Sequence, residues 1–90
     1  MSEVRDNPQE HRFELMVDGQ RAEAYYTLEG KVITFNHTDV PQVLSGRGVG
    51  SRLIKGALDE ARARGLNVKA TCPFVSAYLG KHKEYADLIA

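Results

Sequence analysis

The stretch Ser45-Gly46-Arg47-Gly48-Val49-Gly50-Ser51 decides how this chain folds. It carries three glycines at alternate positions and runs straight into a helical stripe. Leu53, Ile54, Ala57, Leu58 and Ala61 recur at the spacing of one helix face, and Val49 extends that stripe back by a turn. This pattern predicts a helix over residues 51–64. Gly65 is its C-terminal cap, and Arg62 and Arg64 complement the dipole in the last turn. Glycine lets the backbone turn tightly and approach a ligand closely. The first N–H groups of a helix have no partner within it and lie at the positive end of its dipole. A glycine loop opening a helix is therefore suited to a phosphate, and Arg47 and Arg52 add charge. A loop that merely turns needs one such glycine; three in alternation, within a basic segment, favour an anion.

Upstream, residues 12–17 alternate broadly, and Asp18-Gly19 supplies a hairpin turn. Residues 22–28 read as the returning strand, 29–31 as a second turn, and the β-branched and aromatic residues 32–38 as a third strand. Together they predict an antiparallel three-strand meander. Downstream, residues 66–71 alternate as a fourth strand. A helix joins it to the third, so those two are expected to be parallel. Short helical pieces are expected over 75–81 and 83–89. Residues 1–10 are polar with a proline and read as a flexible terminus, leaving 11–90 as one domain. The fold class is α+β, with a mixed sheet.

The chain has 90 residues, 42% of them hydrophobic, and its 12 basic residues match its 12 acidic ones. That neutrality is an average. Residues 1–44 hold four basic and eight acidic side chains, whereas 45–70 hold six basic and two acidic. A local basic segment in a neutral chain suits a small anion better than a long polyanion. Residues 45–70 also lack the aromatic–basic alternation of a nucleic-acid surface, so no nucleic-acid partner is expected. The lone Cys72 excludes a disulfide within the chain. No Cys/His cluster has zinc spacing, so no metal is expected. No apolar run reaches the roughly 20 residues of a membrane helix, and no signal-peptide pattern opens the chain. The expected setting is cytoplasmic, away from membranes, with the chain as a monomer.

Two familiar phosphate motifs fail here. A P-loop needs Lys and then Ser/Thr after its last glycine, but Gly50 is followed by Ser51-Arg52. The dinucleotide fingerprint needs G-x-G-x-x-G in a parallel βαβ unit, whereas the spacing here is G-x-G-x-G after antiparallel strands. Residues 45–50 instead resemble the Gln/Arg-x-x-Gly-x-Gly/Ala signature of the Gcn5-related N-acetyltransferases. Ser45 departs from the usual Gln/Arg, which affects a side-chain contact but not the backbone ones. His37-Thr38-Asp39-Val40-Pro41, Cys72-Pro73-Phe74-Val75 with Tyr78, and His82-Lys83-Glu84-Tyr85 are similar to segments of the minimal members of that superfamily. The resemblance spans about residues 12–88. It implies transfer of an acetyl group from acetyl-coenzyme A to an amine, on a small molecule, a peptide or a protein. It also implies that Arg47, Gly48, Val49, Gly50, Ser51 and Arg52 hold the pyrophosphate. The pantetheine arm would lie between the third and fourth predicted strands, near Val40 and Cys72. Larger acetyltransferases carry N-terminal helices that help hold the acceptor, so an acceptor site that is open, or completed by the substrate, is expected here.

Acetyl transfer to an amine needs a deprotonated acceptor, a polarised carbonyl and a proton for the leaving thiolate. His37, near the end of the third strand, is a candidate general base; the other reading is a histidine that anchors the loop through Asp39 or backbone. Cys72, at the end of the fourth strand, is a candidate nucleophile activated by His37. It otherwise serves as a small buried apolar residue, or lines the thioester pocket without a covalent step. The resemblance gives Tyr78 the role of protonating the coenzyme thiolate; the alternative is packing against Phe74. Lys81, His82 and Lys83 are candidates for the ribose 3′-phosphate, or else form a solvated helix end. Of Tyr25 and Tyr26, one must face the core and the other is free to line the acceptor surface, where Glu23, Glu29 and Asp39 would draw a cationic acceptor. The competing function is a module that binds coenzyme A or a nucleotide without turnover.

Overall fold

A computed structural model describes residues 3–90. Strands β1 (Arg5–Asn7), β2 (Arg12–Val17), β3 (Gln20–Glu29) and β4 (Val32–Asp39) precede helix α1 (Val49–Ala63), strand β5 (Asn67–Ala70) and helix α2 (Pro73–Lys81). Single 3-10 segments at Pro8–Glu10, Gln42–Leu44 and Lys83–Leu88 fill the connections. One sheet holds the strands in the order β1-β2-β3-β4-β5. Its first four strands pair antiparallel and β5 runs parallel to β4, giving the expected α+β architecture. Alternation along the strands sends Phe13, Leu15, Ala22, Ala24, Tyr26, Ile33, Phe35 and Val68 to one face. They bury there with the α1 stripe of Val49, Leu53, Ile54, Ala57, Leu58 and Ala61.

The first ten residues depart from the expected flexible terminus. Met1 and Ser2 lie outside the described residues, but Arg5–Asn7 pairs with β2 and widens the meander to four strands. Asp6 accepts a 2.6 Å hydrogen bond from the Tyr26 hydroxyl and a 2.7 Å ion pair from Arg64. Burial, and then the Asp6 carboxylate, push the Tyr26 phenol well above its ordinary range. A three-residue strand is too short to show a period, and its partners lie far along the chain.

Helix α1 begins at Val49, as the backward extension of its stripe implies, and ends one residue short of prediction. Gly65, at φ 70°, closes it: Leu66 N donates to Ala61 O and Gly65 N to Arg62 O, a Schellman motif. Helix α2 runs beside α1 in the same direction. Phe74 meets Gly50, the Tyr85 hydroxyl donates to Asp59 at 2.6 Å, and Arg62 pairs with Asp87 at 2.8 Å. The first turns of both helices therefore lie at one end of the molecule.

Two features of β4 shape that end. First, β5 parts from it: Phe35 pairs with Ala70, after which Thr71 N and Cys72 N both donate to Phe35 O. Beyond that point β4 continues to Asp39 without β5 beside it. Second, β4 carries a bulge. Tyr26 pairs with Phe35 but Tyr25 pairs with His37, which leaves Asn36 as an extra residue.

Candidate functional site

A cavity of about 410 Å³ opens where α1 begins. The expected cofactor residues Val40, Gly48, Val49, Gly50 and Ser51 line it, joined by Gln42, Leu44, Ser45, Gly46 and Phe74. Gly48 is the N-cap residue of α1 at φ 72°, a conformation that side-chain-bearing residues seldom adopt. Among the described residues no side chain caps this helix, so its first N–H groups are open to other partners. Gly50 is glycine for a different reason. A Cβ there would stand 2.7 Å from Cζ of Phe74. Phe74, which the sequence reading placed only in the Cys72–Val75 segment and as a packing partner for Tyr78, lines the site; its position shows only once α2 is laid beside α1.

Arg47 and Arg52 do not line the cavity. Arg47 pairs at 2.8 Å with Asp18, in the β2–β3 turn, and Arg52 pairs at 3.0 Å with Glu3. The basic segment of the sequence is thus largely neutralised by folding. Lys55 takes Asp59, Arg62 takes Asp87, and Arg64 takes Asp6 and Glu60. Lys81, His82 and Lys83 follow at the far end of α2, about 11 Å along the helix from Phe74. His82 stacks on Tyr78 at 3.9 Å and lies 3.6 Å from Glu84. Lys83 lines a separate groove with Ala70 and Leu79. The structure does not bring these three residues to the glycine loop.

The expected activation of Cys72 by His37 is corrected. The Asn36 bulge turns His37 to the sheet face opposite α1, where its ring lies 5.8 Å from that of Tyr25. Neighbouring strand residues point to opposite faces, so Thr38 takes the inward position. Its hydroxyl lies 3.4 Å from Cys72 Sγ. Without the extra residue His37 would share the face of Phe35, as a regular strand predicts. Cys72 is buried. Burial pushes its thiol up, but the Thr38 hydroxyl and the polar backbone at Val75, Phe74 and Thr38 outweigh it, so the pKa lies below the ordinary thiol value. Thr38 stood in the His37–Pro41 segment with no role assigned to it.

Tyr78 is buried, stacked on His82 with its ring 6.3 Å from that of Tyr85. Burial, with Glu84 and Asp59, raises its phenol despite Lys55, so it holds its proton. It is not among the residues lining the glycine-loop cavity. Tyr26 is the tyrosine that enters the core and Tyr25 the one on the open face. Glu23, expected to draw a cation, is already engaged. It is buried and takes Arg12 at 3.2 Å, Arg21 at 2.8 Å and the Tyr25 hydroxyl at 3.0 Å. Among the described residues no three His, Cys, Asp or Glu side chains form a group that could hold a metal ion. No described helix is long and apolar enough to cross a membrane.

The glycine loop, the parted strands and the paired helices have a counterpart in known proteins. A family model of GCN5-related N-acetyltransferases matches residues 12–88. The chain belongs to that family. Mouse Protein NATD1 is 32% identical over 79 residues, covering 84% of this chain and 72% of its own length. The chicken protein of the same name is 30% identical, covering 86% and 73%. Among solved structures, a GCN5-like protein from Staphylococcus aureus, determined by NMR, is 30% identical with a TM-score of 0.75. That match covers 100% of this chain and 91% of the other.

The site fits the coenzyme A moiety that this family uses. The left-handed glycine loop offers backbone N–H groups to a pyrophosphate. Val40, Leu44, Val49 and Phe74 give the cavity an apolar side, which a bare phosphate would not need. Beyond Phe35 the edge of β4 has no strand partner on the β5 side among the described residues, leaving peptide groups for the amides of a pantetheine arm.

Proposed function

We propose that this chain is an N-acetyltransferase that moves the acetyl group of acetyl-coenzyme A to an amine. One observation carries the proposal: the glycine-loop cavity, the parted edge of β4 and the Thr38–Cys72 pair meet at one end of the fold. Gly48, Val49, Gly50 and Ser51 hold the pyrophosphate through backbone N–H groups. Val40 and the free edge of β4 hold the arm. Arg47 and Arg52 join the phosphates by exchanging their carboxylate partners, and Lys81, His82 and Lys83 serve the 3′-phosphate only if the nucleotide extends along α2.

The bound co-substrate supplies an activated acetyl thioester. Cys72 accepts it: the Cys72 sulfur bonds to the carbonyl carbon, the coenzyme C–S bond breaks, and the proton lost by Cys72 goes to the leaving thiol. The acceptor amine then takes the acetyl group from Cys72, and the proton it gives up returns to that sulfur. Thr38 stabilises the thiolate in both halves. His37, on the open face with Tyr25, is placed to receive a proton from an incoming amine but not to activate Cys72. Tyr78 keeps its proton and acts on a leaving thiolate only if the arm reaches it.

The turned-away His37 favours a second reading, a coenzyme A-binding module without turnover. Mass spectrometry after mixing the protein with acetyl-coenzyme A, with and without a panel of amines, separates the two. The proposal expects an acetyl group on Cys72 that disappears as one class of amine gains mass. Retained acetyl-coenzyme A with no acetyl movement would leave the binding module. Turnover that survives Cys72→Ala would replace the covalent step with direct attack by the amine.

A further inference from the structure

We infer that Phe74 is a positioning residue for the coenzyme, its ring forming the wall against which the pantetheine arm lies. The inference rests on the acetyl-coenzyme A reading above. Phe74 is 43% exposed, although it is a large apolar side chain and the core lies within reach of its helix. Its exposed surface is not idle, because it lines the glycine-loop cavity. The ring is seated against the first turn of α1, and only a glycine at position 50 leaves it room: an added Cβ would come within 2.7 Å of Cζ and 3.3 Å of both Cε atoms. Two independent sequence choices, glycine on α1 and phenylalanine on α2, thus place one aromatic face in the cavity.

The chemistry of the lining selects the part of the ligand that meets this face. Gly46, Gly48 and Ser51 present a backbone-rich edge suited to phosphate oxygens, whereas Val40, Leu44, Val49 and Phe74 form an apolar side. An ionised phosphate gains nothing from an aromatic wall. A neutral arm of methylene, gem-dimethyl and amide groups buries its apolar surface there. Phe74 also stands two residues beyond Cys72, so an arm held by its ring is directed along the start of α2 toward that sulfur.

The test is affinity of the folded protein for two probes by calorimetry. One is coenzyme A; the other is 3′-phosphoadenosine 5′-diphosphate, which keeps the nucleotide and lacks the arm. Phe74→Ala should weaken coenzyme A roughly tenfold and leave the armless nucleotide within about twofold. Phe74→Leu, which restores apolar bulk, should recover most of the loss. Gly50→Ala, which displaces the ring, should weaken coenzyme A more than the armless probe. Unchanged coenzyme A affinity in Phe74→Ala overturns the inference, as does an equal loss for both probes, which would mean that the ring serves the loop and not the arm. A wild-type protein that binds neither probe would instead sink the acetyl-coenzyme A reading itself.

Discussion

The glycine loop and the end of β4 face each other across the same site, yet they are specified in opposite ways. In the proposed function the loop acts through its backbone. Gly46 and Gly48 hold φ of 79° and 72°, and no described side chain caps α1. The end of β4 would add the Thr38 side chain to its free backbone edge, and which side chains point inward there is set by one extra residue, Asn36. A backbone site survives most changes in its neighbours but fails when its dihedral angles are denied. A side-chain site keeps its composition and still changes its chemistry when the register slips by one.

Gly48→Val attacks the first kind of site and carries the largest expected effect. A β-branched residue at this angle either strains the loop or turns its N–H groups away. Coenzyme A affinity should fall on the order of 100-fold, while Gly48→Asn, which tolerates the left-handed region, should lose only a few-fold. Equal, mild losses would show that the loop binds through its side chains instead. Asp6→Ala comes next and acts on stability. It leaves the Tyr26 hydroxyl without its acceptor and Arg64 with Glu60 alone. The expected cost is about 2 kcal/mol, seen in thermal unfolding as a fall of roughly 10 °C. A truly flexible terminus would leave the melting temperature where it was.

The contrast also explains what the sequence made legible. The stripe from Val49 to Ala61, the Gly65 cap and the parallel step into β5 follow from spacing, so helix, crossover and loop were all readable. The β1 strand was not, because Asp6 finds its partners 20 and 58 residues away. The sequence reading set His37 beside Cys72, and the fold does not bring the two together. The bulge at Asn36 has no signature in the stretch Phe35-Asn36-His37-Thr38, and it hands the position next to Cys72 to Thr38. The basic segment misled for a similar reason: charge counted along the chain ignores carboxylates that folding delivers from elsewhere.

The Thr38–Cys72 contact makes this displacement measurable. A thiol held below its ordinary value favours the thiolate in the folded state. Its contribution to stability is present above the unfolded-chain pKa and is lost as pH falls through the folded one. Alkylation of Cys72 should therefore rise at lower pH in the folded protein than in the unfolded chain. Thr38→Val should move that profile to higher pH, because the hydroxyl that favours the thiolate is gone, Thr38→Ser should restore it, and His37→Gln should leave it in place. A shift on changing His37 would return the histidine to Cys72.

The smallest effect concerns the two arginines beside the loop. Arg47 and Arg52 are each held by an exposed carboxylate, Asp18 and Glu3. Exposed pairs of this kind contribute about 0–1 kcal/mol, so an incoming pyrophosphate can replace the carboxylate at little cost. Asp18→Asn removes the competitor for Arg47 and should tighten coenzyme A binding about two- to fivefold at low salt. At roughly 1 M salt, where the screening length shrinks to about 3 Å, the advantage should vanish. Weaker binding in Asp18→Asn would reverse the interpretation. Asp18 would then be holding Arg47 where the pyrophosphate needs it, and the side chains of the loop would matter as much as its backbone.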